Sequence, residues 1–566
     1  MIIAKEKQEI AIQRAIGLNY KGKRLDTTKN EVAEIISLEL YDTKSKSQEI
    51  RKFLDDENNW PQKPVKEKAA RAKAIREDLP LTGGQLNESV IDWQVLAGDR
   101  FIITSAQNNT DVHSNFLESL KQYAEYLDAK LLISKYTYNK NAFQNGEGEK
   151  GLHYADQLTP YFQTENCFLN NDSFAFLAAV NTLPTAVYPL SGYAEVFGNY
   201  SGAIGHAQIT AESIPAMKSQ VVRRMYSTGT VTMRNYIQQK AGQKAEPLHC
   251  YGALLVEFDA DGTFFVRQLQ TMDSSGMFYD LDVQVTPQGV EAVQGHVAAL
   301  QYGDIHAEKL DMQCAAVSWG QVDKLDGSKV VEGSLLDYLR PRYQLVHDVH
   351  DFTSRNHHNR ASGHFLAKQH YSEGKGSVLN DLKETGAVLV AMERDYSQVV
   401  VVESNHDLAL GRWLDDSKYQ PAQDPINAEL YHDLNSAIYR AIRAGDDTFN
   451  LLSYALNEYA NLPTAATFLV TDESFPIAGV EMGMHGHNGI NGSRGAPKQF
   501  KKLGVKSNTG HTHSASIFGP VYTAGVSGSL DMGYNIGASS WSQTHIVTYE
   551  NGQRTLVDIK SAKFRA

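Results

Sequence analysis

Residues 343–351 read Tyr-Gln-Leu-Val-His-Asp-Val-His-Asp, an apolar run that ends in imidazole and carboxylate side chains. Such a run is typical of a buried strand, so we predict a strand over Tyr343–Val349. The pattern occurs twice more: strand His296–Tyr302 leads into Gly-Asp-Ile-His at 303–306, and strand Gln398–Glu403 leads into Ser-Asn-His-Asp at 404–407. Because open α/β sheets bind ligands at the carboxyl ends of their strands, we expect these polar clusters to meet in one crevice.

Segments with helical periodicity separate the strands, which predicts an α/β fold for this part of the chain. The predicted helices are Gly333–Leu339, Ser377–Arg394, Asn427–Ala444 and Phe449–Tyr459. Two further apolar runs, Thr467–Asp472 and Ala478–Met484, precede His485-Gly486-His487, and Gly510-His511-Thr512-His513 follows. The tail is predicted to close as a hairpin through Asn551-Gly552.

The preceding residues suggest two additional parts. Residues 1–85 read as a small helical N-terminal arm, and residues 86–294 as an α/β accessory domain, ahead of a catalytic domain at 295–566. The arm contains the basic turn Lys21-Gly22-Lys23-Arg24, which suits either a helix-turn-helix-like contact with DNA or an arm used for packing and oligomer contacts.

Composition limits the class of protein. The chain has 566 residues with 42% hydrophobic and 21% charged, which excludes a disordered, collagen-like or disulfide-scaffold protein. Its net charge of −12 argues against binding nucleic acid through bulk positive charge, although an enzyme that holds phosphate through two divalent cations needs little of it. Three widely spaced cysteines suit a reducing cytosol, and no apolar run is long enough to span a membrane, so we expect a cytoplasmic protein.

The clusters have the composition of a metal site. Of 19 histidines, 13 fall between His306 and His513, often beside Asp or Asn. Manganese, iron and zinc take mixed carboxylate and imidazole ligands, whereas calcium prefers oxygen alone. Two such ions need about seven ligands and a bridging carboxylate, and together they polarise a phosphoryl oxygen and activate water. The clusters supply that number.

The order of these motifs resembles the calcineurin-like metallophosphoesterase superfamily, in its repair-exonuclease-like branch. The matching motifs are Asp304-Ile305-His306, Asp348-Val349-His350-Asp351, Asn405-His406-Asp407, the lone His485, and Gly510-His511-Thr512-His513. The resemblance covers residues 295–566 and implies a four-layer α/β/β/α sandwich there. His347 and Ser404 stand where the superfamily has glycine, which alters the local turns but replaces no ligand.

The resemblance also implies roles for individual residues. Two divalent metals, manganese first and iron, zinc or magnesium as alternatives, would be held by Asp304, His306, Asp348, Asn405, His485, His511 and His513. Asp348 would bridge them, and a hydroxide shared by both ions would attack phosphorus. His406 would stabilise the phosphoryl group or protonate the leaving oxygen, with Asp407 orienting it. His487 competes with His485 for the lone-histidine position and is otherwise a candidate substrate contact, together with Arg494, Arg355 and Arg360.

The chain further resembles the pre-early DNA-transfer proteins of T-odd tailed phages. That likeness implies a manganese-dependent deoxyribonuclease that degrades host DNA soon after infection, in the host cytoplasm, with DNA as partner and a homo-oligomer as a further expectation. One alternative is a phosphoprotein or nucleotide phosphatase. Another is a DNA-transfer or assembly protein whose metal site is not catalytic.

Overall fold

The protein is represented by a computed structural model that describes residues 5–17, 29–55, 93–138, 153–171, 173–217, 220–356, 363–463, 465–533 and 535–566. The chain forms two compact units, Met1–Gln85 and Leu86–Ala566. Both helices and strands occur, in several mixed sheets, so the predicted mixed α/β class is confirmed.

The helices and strands of the described residues have the following bounds. The helices are α1 (Lys5–Gly17), α2 (Lys29–Tyr41), α3 (Ser47–Asp55), α4 (Ser114–Leu127), α5 (Ala194–Phe197), α6 (Lys240–Ala245), α7 (Met312–Trp319), α8 (Leu335–Leu339), α9 (Gly363–Ser372), α10 (Val378–Met392), α11 (Ala409–Leu414), α12 (Ala428–Ala444), α13 (Leu451–Tyr459) and α14 (Pro497–Phe500). The strands are β1 (Gln94–Leu96), β2 (Arg100–Gln107), β3 (Lys130–Tyr136), β4 (Cys167–Leu169), β5 (Phe174–Leu177), β6 (Ser201–Ile204), β7 (His206–Ile214), β8 (Arg223–Gly229), β9 (Gly252–Phe258), β10 (Phe264–Gln270), β11 (Phe278–Asp280), β12 (Val283–Thr286), β13 (Gly289–Ala292), β14 (Val297–Gln301), β15 (Tyr343–His347), β16 (Gln398–Val402), β17 (Thr467–Leu469), β18 (Pro476–Ile477), β19 (Val480–Glu481), β20 (Ser507–Thr509), β21 (Ser516–Phe518), β22 (Val521–Thr523), β23 (Thr544–Tyr549) and β24 (Arg554–Asp558).

A six-stranded sheet carries the three polar clusters found in the sequence. Its strand order is β17-β16-β15-β14-β23-β24. Strands β14 to β17 run parallel, β23 runs antiparallel to β14, and β24 runs antiparallel to β23. Strand β16 is almost entirely valine, as expected for a strand covered on both faces. Val399 and Val401 lie in one buried cluster and Val400 and Val402 in another, so each face of the sheet has its own core.

Helices cover one face of this sheet. Trp319 of α7, Leu389 of α10, Trp413 of α11 and Leu456 of α13 are buried in the cluster that contains Val399 and Val401. Side chains of β18, β19 and the residue that follows β19 contribute to the cluster on the opposite face. The sheet is therefore held between a helical layer and part of a second sheet.

The second sheet has eleven strands, in the order β1-β4-β5-β6-β8-β7-β21-β22-β20-β19-β18. Strand β21 pairs with β7 through Ile517 opposite Ala211 and Phe518 opposite Thr210, so strands from both sides of residue 294 share one sheet. A four-stranded sheet, β10-β9-β2-β3, and a three-stranded sheet, β11-β12-β13, complete the larger unit. The division at 294/295 and the four-layer sandwich arrangement both remain predictions.

In the smaller unit, the three helices α1 to α3 pack around Ala11, Val32, Ile36, Ile50 and Leu54. The Lys21–Arg24 turn lies outside the described residues. Among the residues that the structure describes, no helix is both long enough and apolar enough to cross a membrane.

Candidate metal centre

The polar clusters occur at the carboxyl ends of three neighbouring parallel strands. Asp304 follows β14, Asp348 follows β15 and His406 follows β16. The pairing of Leu345 with both Gln301 and Val400 brings the three strand ends into register. The predicted convergence is therefore present in the fold.

Four of the predicted ligands form a compact buried group: Asp304, His306, Asp348 and His513. His513 Nε2 lies 3.2 Å from an Asp304 oxygen and 2.9 Å from His306 Nε2, which in turn lies 3.4 Å from an Asp348 oxygen. At most 4% of any of these residues is exposed. One donor atom from each lies within 4.8 Å of the others, so the group could hold a metal ion.

The local backbone is strained at this group. His306, Asp348, His511 and His513 have φ values of 49°, 46°, 69° and 56°, in the left-handed region that residues with a Cβ rarely adopt. Hydrogen bonds maintain the conformation; the His306 N–H, for example, donates to the Asp348 carbonyl at 2.8 Å. Strained backbone of this kind clusters at functional sites, because the surrounding structure must stabilise it.

Gly510 permits the close approach of two of the motifs. A Cβ at this position would lie 2.2 Å from Asp304 Oδ1, closer than van der Waals contact allows. The backbone N–H of the next residue, His511, donates to Asp304 Oδ2 at 2.7 Å. The glycine of the Gly-His-Thr-His motif therefore lets the Asp304 carboxylate seat against the histidine loop.

Several oxygen and nitrogen atoms of the predicted metal ligands lack a hydrogen-bond partner among the described residues. These buried atoms are Asp304 Oδ1, both carboxylate oxygens of Asp348, Asn405 Oδ1, both ring nitrogens of His485, and Nδ1 of His487 and of His513. Burying unpaired acceptors costs free energy, and a cation would remove that cost. The donor set of carboxylate, amide and imidazole is one that manganese, iron and zinc accept, so the residues fit the predicted metals.

The electrostatics favour an ionised carboxylate at the centre. Burial opposes ionisation of Asp348, but the nearby imidazoles of His485 and His406 hold its pKa well below the ordinary value. Asp304 behaves in the same way, since burial is outweighed by His485 and His513 and its pKa is lowered. Both carboxylates are therefore available as anionic ligands near neutral pH.

His485, another predicted ligand, approaches the same Asp348 oxygen as His306. His485 Nε2 is 3.4 Å from an Asp348 oxygen, and His485 Nδ1 is 4.0 Å from Asp304 Oδ1. The His485 ring centroid is 5.2 Å from that of His511 and 5.4 Å from that of His487. His485 makes the carboxylate contacts, while the partly buried His487 lies beyond it.

Asp351 contacts both His306 and His406. Its Oδ1 lies 2.8 Å from His306 Nδ1 and 3.3 Å from His406 Nδ1, and its carbonyl oxygen lies 3.1 Å from the same His406 nitrogen. A carboxylate at Nδ1 favours the tautomer that carries its proton there, which leaves His306 Nε2 free to bind a metal. Despite burial, Asp348 and Asp351 raise the pKa of His406 to about 10.

Asp407, the residue predicted to orient His406, contacts backbone groups of two loops. The Asp407 oxygens accept hydrogen bonds from the backbone N–H groups of His350 at 3.0 Å and Ser404 at 3.1 Å. Asp407 thus ties two loops together, and Asp351 is the carboxylate that lies against His406. Burial and the nearby Asp348 charge raise the pKa of Asp407 to about 6.

Glu308 is a buried residue that sequence reasoning missed. Its two oxygens accept from the backbone N–H groups of Asp351 at 2.8 Å and Phe352 at 3.1 Å, and one lies 3.1 Å from His350 Nδ1. It therefore fixes the turn that carries Asp351. Its position two residues after His306 is the only sequence signal that could have suggested this role.

The predicted substrate contacts have different surroundings. Arg355 forms a bidentate ion pair with Asp424 at 2.5 and 2.6 Å, so its guanidinium already has a carboxylate partner. Arg494 is exposed and lies in a loop, where its backbone forms an isolated antiparallel pairing with the backbone of Asn488. Arg360 lies outside the described residues.

The fold and this cluster define the class as a mixed α/β protein with a buried His/Asp group that could bind metal. The chain is 61% identical over 571 aligned positions to Protein A1 of Escherichia phage T5, with 100% of both chains covered. It therefore belongs to the family of phage T5 Protein A1, in agreement with the predicted likeness to T-odd phage proteins. No family model and no solved structure matches the chain, so membership of the metallophosphoesterase superfamily remains a prediction.

Proposed function

We propose that the protein is a two-metal phosphodiesterase, and specifically a manganese-dependent deoxyribonuclease that degrades host DNA early in phage infection. The observation that carries the proposal is the buried convergence of Asp304, His306, Asp348 and His513, whose carboxylates hold oxygens with no partner among the described residues. The ends of two neighbouring strands, β14 and β15, and one loop 207 residues beyond His306 build this group together.

The residues divide into two sets around a shared carboxylate. Asp304, His306 and His513 would hold one ion, Asn405, His485 and His511 the second, and Asp348 would contact both. When bound, such ions polarise a phosphoryl oxygen and lower the pKa of water. Burial of Asp304, His306, Asp348 and His513 and the left-handed loop conformations would hold these ligands in position.

In this proposal His406 acts on the phosphoryl group. A protonated His406 ring, with Asp351 against its Nδ1, can stabilise negative charge on phosphate or donate a proton to the leaving oxygen. Asp351 contacts Nδ1 of the ring through both its carboxylate and its carbonyl oxygen. In this proposal Asp351 takes the orienting role.

The choice of DNA rests on family membership and on the size of the chain. The family includes a phage T5 protein with which the whole chain aligns. Most of the larger unit lies outside the loops that carry the proposed metal ligands. A large additional structure of this kind favours a polymeric substrate over a small phosphomonoester. A phosphatase is the alternative that the experiment must distinguish from a nuclease.

The test compares five substrates with the purified full-length protein and manganese: linear duplex DNA, circular DNA, single strands, an aryl phosphodiester and an aryl phosphomonoester. We expect cleavage of DNA and of the diester. Asp348→Asn should abolish it, while Asp395→Asn, the same change at an exposed aspartate, should not. Cleavage of the monoester alone would contradict the nuclease proposal, and full activity of Asp348→Asn would contradict the site.

A further inference from the structure

A cavity of about 1040 Å³ lies in the larger unit, close to the proposed metal ligands. We call it the side cavity. One wall is formed by residues around strands β6 and β8, including Tyr200 and Val221. A second is the turn between β9 and β10, which ends at Phe264, and a third is the segment that contains Leu530 and Trp541.

Trp541 lies between the side cavity and the metal centre. The Trp541 ring packs edge to face against the ring of His513, with centroids 4.3 Å apart. The backbone N–H of Ser542, another wall residue, donates to the His513 carbonyl at 3.1 Å. Reciprocal backbone hydrogen bonds of 2.9 and 2.8 Å between Ala216 and Ser539 fix this segment against the opposite wall. A molecule in the side cavity is therefore separated from a proposed ligand by one side chain.

The walls expose apolar and aromatic groups. Val221 is 85% exposed, Met217 59% and Leu530 45%. Tyr200, Phe264 and Trp541 add aromatic rings to the same cavity. Large apolar side chains that share an exposed concave surface mark a binding site.

The cationic side chains of the walls, which are Arg223, Arg224 and Lys560, are already engaged within the protein. Arg224 pairs with Asp558 at 2.8 Å, Lys560 donates to the Phe264 carbonyl at 2.8 Å, and Arg223 donates to the Pro215 carbonyl at 3.2 Å. The walls thus offer no row of free cations for a series of phosphates. The walls suit flat, weakly polar groups. Phosphates attached to such groups would remain at the metal centre or in solvent.

We propose that the side cavity receives unpaired nucleobases of the DNA strand whose phosphodiester lies at the metal centre, with Trp541 as a stacking surface. This inference rests on the proposed function and deepens it. Bases in a duplex are stacked and paired with each other, so only an unpaired segment can enter. Stacking on aromatic rings tolerates any base, because every base has a π face. The volume of the cavity exceeds that of one base, so it holds a short run. The protein consequently prefers single-stranded over duplex substrates.

The experiment measures KM for three substrates with manganese: an unpaired oligonucleotide, the same oligonucleotide annealed to its complement, and bis(p-nitrophenyl) phosphate. The variants of the full-length protein are Trp541→Ala, Trp541→Phe and Val221→Glu. Val322→Glu is the matched control, because Val322 is 49% exposed and lies outside the side cavity.

We expect Trp541→Ala to raise KM for the unpaired oligonucleotide about tenfold relative to KM for the small diester. Trp541→Phe should restore most of that loss. Val221→Glu should shift the ratio in the same direction, since a carboxylate at the wall repels the strand, and Val322→Glu should not.

Two results would overturn the inference: an unchanged KM ratio in both Trp541→Ala and Val221→Glu, or an equal effect on duplex and unpaired DNA. Either result, with hydrolysis of bis(p-nitrophenyl) phosphate intact, would leave the proposed phosphodiesterase standing. A wild-type protein that hydrolyses neither the diester nor DNA would instead refute the proposed function and this inference together.

Discussion

The substitution Asp351→Asn tests whether Asp351, rather than Asp407, is the carboxylate that orients His406. The Asp351 carboxylate is 2.8 Å from Nδ1 of His306 and 3.3 Å from Nδ1 of His406. Asparagine keeps the size but removes the charge that both imidazoles face. Losing such a partner of a metal-binding histidine costs about 10- to 100-fold in metal affinity or activity. Because one carboxylate serves two imidazoles here, we expect about tenfold weaker manganese binding and about a 100-fold loss in kcat/KM.

The assay is the manganese-induced gain in the free energy of unfolding, measured by urea denaturation with and without the metal. At metal concentrations far above Kd, a tenfold rise in Kd lowers that gain by about 1.4 kcal/mol. Asp407→Asn is the comparison, since Asp407 binds two backbone N–H groups; it should destabilise the protein to the same extent with and without manganese. The reasoning is refuted if Asp407→Asn reduces the metal-induced gain and Asp351→Asn leaves it unchanged.

Three further predictions concern the support of the site and the surrounding core. Glu308→Gln places an amide against the backbone N–H groups of Asp351 and Phe352. The free energy of unfolding without metal, measured by urea denaturation, should therefore fall by about 2–4 kcal/mol. A change of less than about 0.5 kcal/mol would contradict the role of Glu308. Gly510→Ala places a methyl group 2.2 Å from Asp304 Oδ1, so isothermal titration should find manganese binding weakened at least tenfold, and wild-type affinity would contradict the packing argument. The free energy of unfolding in the presence of a chelator should fall as the pH is lowered from about 6.5 towards 4. Burial lowers the pKa of His206 to about 4 and that of His545 to about 3, so the unfolded chain binds more protons than the folded chain over this range. A flat profile would show that these histidines are not buried in the neutral form.

The elements around the site were largely predictable from local pattern. The predicted strand Gln398–Glu403 is observed at Gln398–Val402, and the predicted helix Ser377–Arg394 at Val378–Met392. The strand contains a continuous run of valines, and the helix begins after Ser377, whose side chain accepts from the Asn380 N–H. The tail hairpin also forms, between β23 and β24. These predictions succeed because each element is specified by residues that are close together in the sequence.

Contacts between distant segments could not be predicted in the same way. The pairing of Ile517 with Ala211 joins strands about 300 residues apart, and no local signal specifies it. The assignment of Asp407 followed from its position next to His406 in the sequence, whereas the carboxylate that lies against that ring, Asp351, comes from a neighbouring strand end. The side cavity likewise depends on three segments that meet only in the folded chain.

The central claim is that Asp348 links two metal ions in one buried site. Equilibrium dialysis of the full-length protein against manganese, followed by metal analysis of the protein fraction, tests it most directly. The account predicts two manganese ions per chain for the wild type and for Asp395→Asn, and fewer than one for Asp348→Asn. A wild-type protein that retains no manganese, or an Asp348→Asn variant that retains as much as the wild type, would contradict it.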